Sequence, residues 1–129
     1  MFKNYVIICF LGMLAIIFGA FSAHALKDIL TTEGLSSFNT AVQYQMYHVI
    51  VLLFVNMYTG FSTKQKNTIS WLFFSGIFLF SGSIYAIQLT EITAKSLWFI
   101  TPLGGLFFIL GWAFMCIRFL SKMRKKIKK

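Results

Sequence analysis

Residues 5–25 read YVIICFLGMLAIIFGAFSAHA, a stretch with no charged side chain unless His24 is protonated. A helix of about 20 apolar residues spans the roughly 30 Å hydrocarbon core of a bilayer. A helix on a soluble domain carries a polar face instead. This stretch has none, so it predicts a membrane span.

Three more apolar segments follow, at residues 38–60, 69–90 and 97–120. Inside lipid every backbone N–H and C=O needs a partner within the protein, so spanning segments are helices or closed barrels. Barrel strands alternate polar and apolar residues over about ten positions, and these segments do not alternate. The expectation is an all-α membrane protein, a single domain built as an antiparallel bundle of four transmembrane helices (5–25, 38–60, 69–90, 97–120) with a basic tail at 121–129. Short connections make consecutive helices neighbours. In the first connection, Leu26, Ile29 and Leu30 give a weak signal for a segment lying on the membrane surface. The second span, dotted with Asn39, Gln43, Gln45, His48 and Asn56, is the least apolar and has the least definite ends.

Composition agrees. Hydrophobic residues are 58% and charged residues 12%, against about 25% charged in a typical soluble domain. One soluble core of this size could not bury so much apolar surface. The formal net charge of +9 invites a nucleic-acid reading, but its distribution excludes one. Half of the 12 basic residues lie in 121–129: Lys122, Arg124, Lys125, Lys126, Lys128 and Lys129. This cluster directly follows the last span, where it orients the chain and holds anionic lipid headgroups. With four spans, ten basic residues fall on the side of the two ends and the second connection, and only Lys27 and Lys95 on the other. Basic residues favour the cytoplasmic side, so both termini are expected in the cytoplasm and the location is the cell membrane. Ala23-His24-Ala25 also fits a signal-peptidase site. The long apolar stretch and the single lysine before it argue against cleavage.

Cys9 and Cys116 both lie in apolar runs. They form no disulfide framework or metal spacing and read as small buried hydrophobes.

His48 is the most informative side chain. It sits near the middle of its span, where ionisable groups are costly and face the bundle interior. Helical spacing aligns Ala41, Gln45, His48, Leu52 and Asn56 on one stripe, with Tyr44 a turn before His48. Two readings stand side by side: a proton-relay or ligand-contacting histidine, and a neutral histidine bonded to a neighbouring helix. His24, Gln43, Gln88 and Thr101 fall at similar depth in the outer half of the bundle. With Gln45 and His48 they form the candidate polar cluster, read either as a pocket or as interhelical contacts. Glu91 is the only acid near enough to join the histidines, which makes a metal site poor. No cofactor is expected, and no nucleophile–base pair is visible, so an enzyme is not expected.

Thr101-Pro102-Leu103-Gly104-Gly105 reads either as a broken helix lining a binding site or as proline in a first turn followed by packing glycines. Small residues recur at Ala15, Gly19 and Ala23, at Gly12 and Gly19, at Gly76 and Ser83, and at Gly104 and Gly111. This spacing lets helix backbones approach one another.

Several of these segments together carry a family resemblance: Gly19-Ala20-Phe21-Ser22-Ala23-His24-Ala25-Leu26, Thr40-Ala41-Val42-Gln43-Tyr44-Gln45 with Tyr47-His48, Phe80-Ser81-Gly82-Ser83-Ile84-Tyr85, and Thr101-Pro102-Leu103-Gly104-Gly105 with Gly111-Trp112. In this order the chain resembles domain of unknown function 423, also called uncharacterised protein family 0382, which is related to the eukaryotic transmembrane protein 256. Ser22 stands where the family pattern leads one to expect glycine. The resemblance implies a multi-pass membrane protein and supplies no catalytic residues. It places His24 and His48 inside family motifs and counts against cleavage after Ala25.

Two functional classes follow. One is a packing or accessory protein that contacts lipids, a second copy or a membrane-protein partner. The other is a small transporter or channel component using the His48 stripe.

Overall fold

The computed structural model describes residues 2–127, and among them no strand forms. Helix α1 is Phe2–His24, α2 Thr32–Met57, α3 Thr63–Gly76, α4 Gly82–Leu89 and α5 Ile100–Ile127. Helices α3 and α4 form one rod, joined by a π-helical turn at Ile77–Ser81. Short 3₁₀ turns occupy Leu26–Asp28 and Ala94–Leu97.

Three helical segments are long and apolar enough to cross a membrane: Lys3–His24, Thr63–Leu89 and Ala94–Ile127. Helix α2, with 26 residues, is about 39 Å long at 1.5 Å per residue. It matches them in length, but its polar side chains leave it less apolar.

Several expected boundaries move, each for a local reason. Helix α2 begins at Thr32 rather than 38, because the Thr31 side chain accepts from Gly34 N and caps the first turn. Helix α3 begins at Thr63 rather than 69: Ser62 and Gln65 form a reciprocal capping box. Both starts are polar, so hydropathy alone does not find them. Helix α5 continues through Arg124, Lys125 and Lys126 to Ile127, so the described part of the basic tail is helical. Cations favour a helix C-terminus. Lys128 and Lys129 lie outside the described residues. In the first connection, Leu26 is buried and only Ile29 is strongly exposed, which removes most of the apolar surface expected there. Cys9 and Cys116 are exposed, not buried as expected. They are apolar residues on the outer face of the helices.

The core contains Ile8 of α1, Val49, Leu52 and Val55 of α2, Ile69, Phe73 and Ile77 of the α3 rod, and Phe108 and Met115 of α5. Glycines set how closely the helices approach. A Cβ on Gly104 would collide with the backbone of Leu79 and Phe80 in the π-helical turn. A Cβ on Gly111 would lie 2.6 Å from the ring of Phe73, and one on Gly76 would meet the ring of Phe108. The seven-residue spacings of Gly76 with Ser83 and Gly104 with Gly111 thus form the seam between the α3–α4 rod and α5. Pro102 falls in the first turn of α5, where its missing N–H is tolerated, so the helix is not broken there.

Polar side chains tie the elements at both ends. Asn4 Nδ2 donates to Asn56 Oδ1 at 3.0 Å and to Asn67 Oδ1 at 3.3 Å. At the other end of α1, Ser22 Oγ donates to Asn39 Oδ1 at 2.5 Å. Lys66 Nζ, nearly buried, donates to the Asn56 carbonyl at 2.7 Å, and Lys122 Nζ donates to the Gly60 carbonyl. Lys66 therefore satisfies a carbonyl released in the last turn of α2, and Lys122 one in the connection that follows.

Candidate functional site

The stripe expected on α2 is buried at every position: Ala41, Gln45, His48, Leu52 and Asn56 all face the other helices. Each polar member has partners. Gln45 Nε2 donates to the Leu11 carbonyl of α1 at 2.7 Å, while its Oε1 accepts from the Tyr85 hydroxyl of α4 at 2.8 Å. One amide therefore links three helices. Asn56 Nδ2 donates to the Leu52 carbonyl and to Ser70 Oγ, both at 2.9 Å.

His48 is 5% exposed. Its ring stacks on Phe108 with centroids 3.7 Å apart and planes inclined by 5°. Phe73 packs at 5.2 Å. Nδ1 lies 2.7 Å from the Tyr44 carbonyl, and Trp112 Nε1 lies 3.2 Å from Nε2. A carbonyl only accepts and an indole N–H only donates. Nδ1 therefore carries the proton and Nε2 is the acceptor. This neutral tautomer satisfies both ring nitrogens, and a second proton on Nε2 would confront the indole N–H.

Beside the histidine, a cleft of about 570 Å³ opens outward between α2 and α5, lined by Tyr44, Pro102, Gly105, Phe108, Ile109 and Trp112, with His48 at its inner edge. Phe80 stacks on Tyr44 at 5.0 Å from the π-helical turn. Ser81 Oγ in that turn donates to the Ala41 carbonyl at 2.7 Å. Apart from the Tyr44 hydroxyl, the polar groups at the cleft already have partners.

The candidate cluster does not converge. Gln45 and His48 are buried a turn apart. His24 and Gln43 are exposed and share no hydrogen bond with the others. Gln88 and Thr101 line a separate cleft of about 310 Å³, with Ser37 and Thr40 across it. The Thr101 and Ser83 hydroxyls lie 2.6 Å apart. Equal depth along the helix axes did not mean equal direction around them. Among the described residues, no group of three or more His, Cys, Asp or Glu side chains is placed to hold a metal ion.

Sequence reasoning missed the partners of the stripe: Tyr85, the Leu11 carbonyl, Trp112 and Phe108. Trp112 did leave a signal. It lies mid-helix rather than in an interfacial belt, and an indole N–H away from water needs an acceptor.

The comparisons with known proteins point to a family of membrane proteins. The family described as protein of unknown function DUF423 matches residues 18–105. The UPF0382 membrane protein SAB0533 of Staphylococcus aureus is 42% identical over 106 residues, 82% of this chain and 85% of that protein. UPF0382 membrane protein YwdK of Bacillus subtilis is 39% identical over 108 residues, 82% of this chain and 86% of its own length. No solved structure matches. With its apolar helices and a match that holds the whole α2 stripe, the chain belongs to the DUF423 family of UPF0382 membrane proteins.

Proposed function

We propose that this protein is a non-enzymatic packing or accessory component of the cell membrane, a bundle of four antiparallel membrane-crossing helices with both termini in the cytoplasm. It acts through lipids and helix partners rather than by moving a solute.

The observation that carries this reading is the state of the polar groups at mid-helix. Gln45, His48 and Ser81 are all engaged in hydrogen bonds between or within helices. A transport path needs ionisable or polar groups facing a water-filled cavity. Here the histidine nitrogens are held by a carbonyl and an indole. The antiparallel reading is supported by the pairing of Asn4 with Asn56 and of Ser22 with Asn39. The excess of basic residues on one side supports the orientation.

The test is reconstitution of the full chain in liposomes under an imposed pH gradient. No flux above protein-free liposomes is expected, for wild type and His48→Gln alike. A pH-dependent flux in wild type that His48→Gln abolishes would overturn the reading in favour of a transporter.

A further inference from the structure

The basic end of the molecule holds a second concavity, remote from the histidine. A cleft of about 350 Å³ lies between the start of α3 and the last turns of α5, lined by Ser62, Gln65, Arg118, Ser121, Lys122 and Lys125. A second cleft of about 310 Å³ shares Ser62, Gln65 and Arg118. We infer that the first cleft is a binding site for a phosphate group, the group that an anionic phospholipid headgroup presents at a membrane surface. The inference deepens the lipid-contact reading above and rests on it.

The chemistry of the walls points to an acceptor-only anion. Arg118 Nε is buried and has no hydrogen-bond partner among the described residues. That atom is inaccessible, so the guanidinium meets a ligand through its terminal Nη groups. The Arg118 guanidinium lies over the Phe114 ring at 4.5 Å. The ring holds the plane and leaves the N–H edges for a ligand. Lys122 is also positioned before any ligand arrives. Its Nζ donates to the Gly60 carbonyl and lies 5.5 Å and 5.9 Å from the Tyr58 and Phe61 ring centroids. Ser62 Oγ accepts from Gln65 N, and Gln65 Oε1 accepts from Ser62 N. The Ser62 hydroxyl proton and the Gln65 amide N–H groups remain to donate.

No carboxylate of the described chain competes. Asp28 and Glu33 lie between α1 and the first turn of α2, and Glu91 lies between α4 and α5. Arg118, Lys122 and Lys125 meet Ser62 at the α2–α3 connection instead. Arg124 and Lys126 are exposed and do not line the cleft, which separates a built site from the general charge of the tail. The three cleft cations also lie beyond residues 18–105, the segment matched by the family. The site is inferred for this chain alone.

The test is native mass spectrometry of the full chain in detergent with added phosphatidylglycerol or phosphatidylcholine. Wild type should retain phosphatidylglycerol preferentially. Arg118→Gln should reduce that retention about tenfold, the loss of a charge-assisted hydrogen bond. Arg124→Gln removes the same formal charge outside the cleft and should change it by no more than about twofold. Should Arg118→Gln not fold, Lys125→Gln at the exposed rim should cost about threefold. Equal losses in the cleft variant and Arg124→Gln, or equal retention of both lipids by wild type, would overturn the site. Glycerol phosphate identifies the source. Displacement of the lipid by it assigns a free phosphate ester, and lipid retained in its presence assigns a headgroup. A flux result that sinks the accessory reading leaves these retention ratios as they are, so the two can fail separately.

Discussion

At the residue scale, His48 shows how a membrane protein accommodates a polar ring. Phe108 covers one face, and the two nitrogens meet one acceptor and one donor. Removing the histidine leaves the Trp112 N–H without its acceptor. A double-mutant cycle between His48→Leu and Trp112→Phe, read by thermal unfolding in detergent, should give a coupling of about 1 kcal/mol, the usual size for interhelical hydrogen bonds in membranes. Additive effects would mean that the bond contributes nothing. Gln45 should matter more, because it has partners on two other helices. Gln45→Leu strands the Tyr85 hydroxyl and removes a second donor from the Leu11 carbonyl, which keeps its own helix bond, with an expected loss of about 1–3 kcal/mol. Restoration of about half of that loss by Tyr85→Phe in the Gln45→Leu background would separate the hydroxyl's share from the carbonyl's.

At the element scale, the seam between the α3–α4 rod and α5 depends on glycines whose missing side chains admit a neighbour. Gly104 meets the backbone of the π-helical turn, which cannot yield as a side-chain tip can. Gly104→Ala should therefore cost about 1–3 kcal/mol by overpacking. Gly82, in the same rod, has nothing within 4 Å of an added Cβ. Gly82→Ala should be neutral or stabilising by up to about 1 kcal/mol, since alanine is the better helix former. Comparing the unfolding midpoints of the two variants isolates the seam from helix propensity. The spacing of these glycines was legible in the sequence, but the partner of each was not. The seven-residue spacing picked out Gly104 and not Gly105, whose added Cβ would sit 3.9 Å from the Phe80 ring, but it did not show that Gly104 presses on backbone.

At the scale of the whole molecule, the proposed topology makes a claim about sidedness. In a variant with Cys9 and Cys116 replaced, single cysteines at Thr32, Thr63 and Ser96 sit on exposed positions in or beside the connections. An impermeant thiol reagent on intact cells should label Thr32→Cys and Ser96→Cys, and reach Thr63→Cys only after permeabilisation. Labelling of Thr32→Cys and Thr63→Cys from the same side would show that α2 does not cross, the one helix whose polar content leaves the question open. Strong labelling of Thr63→Cys in intact cells, with Ser96→Cys protected, would invert the orientation.

Hydropathy and charge alone determined much of this protein: apolar runs long enough to span a bilayer, a basic cluster after the last of them, and an α2 stripe turned inward. Each depends on properties local to the chain. Depth follows from the rise per residue and burial from the 3.6-residue turn. The tertiary structure alone decided which groups meet. His24 was expected at the depth of Gln88 and Thr101 and yet faces outward, because the rotation of α1 about its axis is set by its packing partners and not by its own composition. The same packing placed Trp112 against His48 and brought Ser62 and Gln65 within reach of Lys122. Those groups are distant in sequence, and no pattern within one helix specifies them.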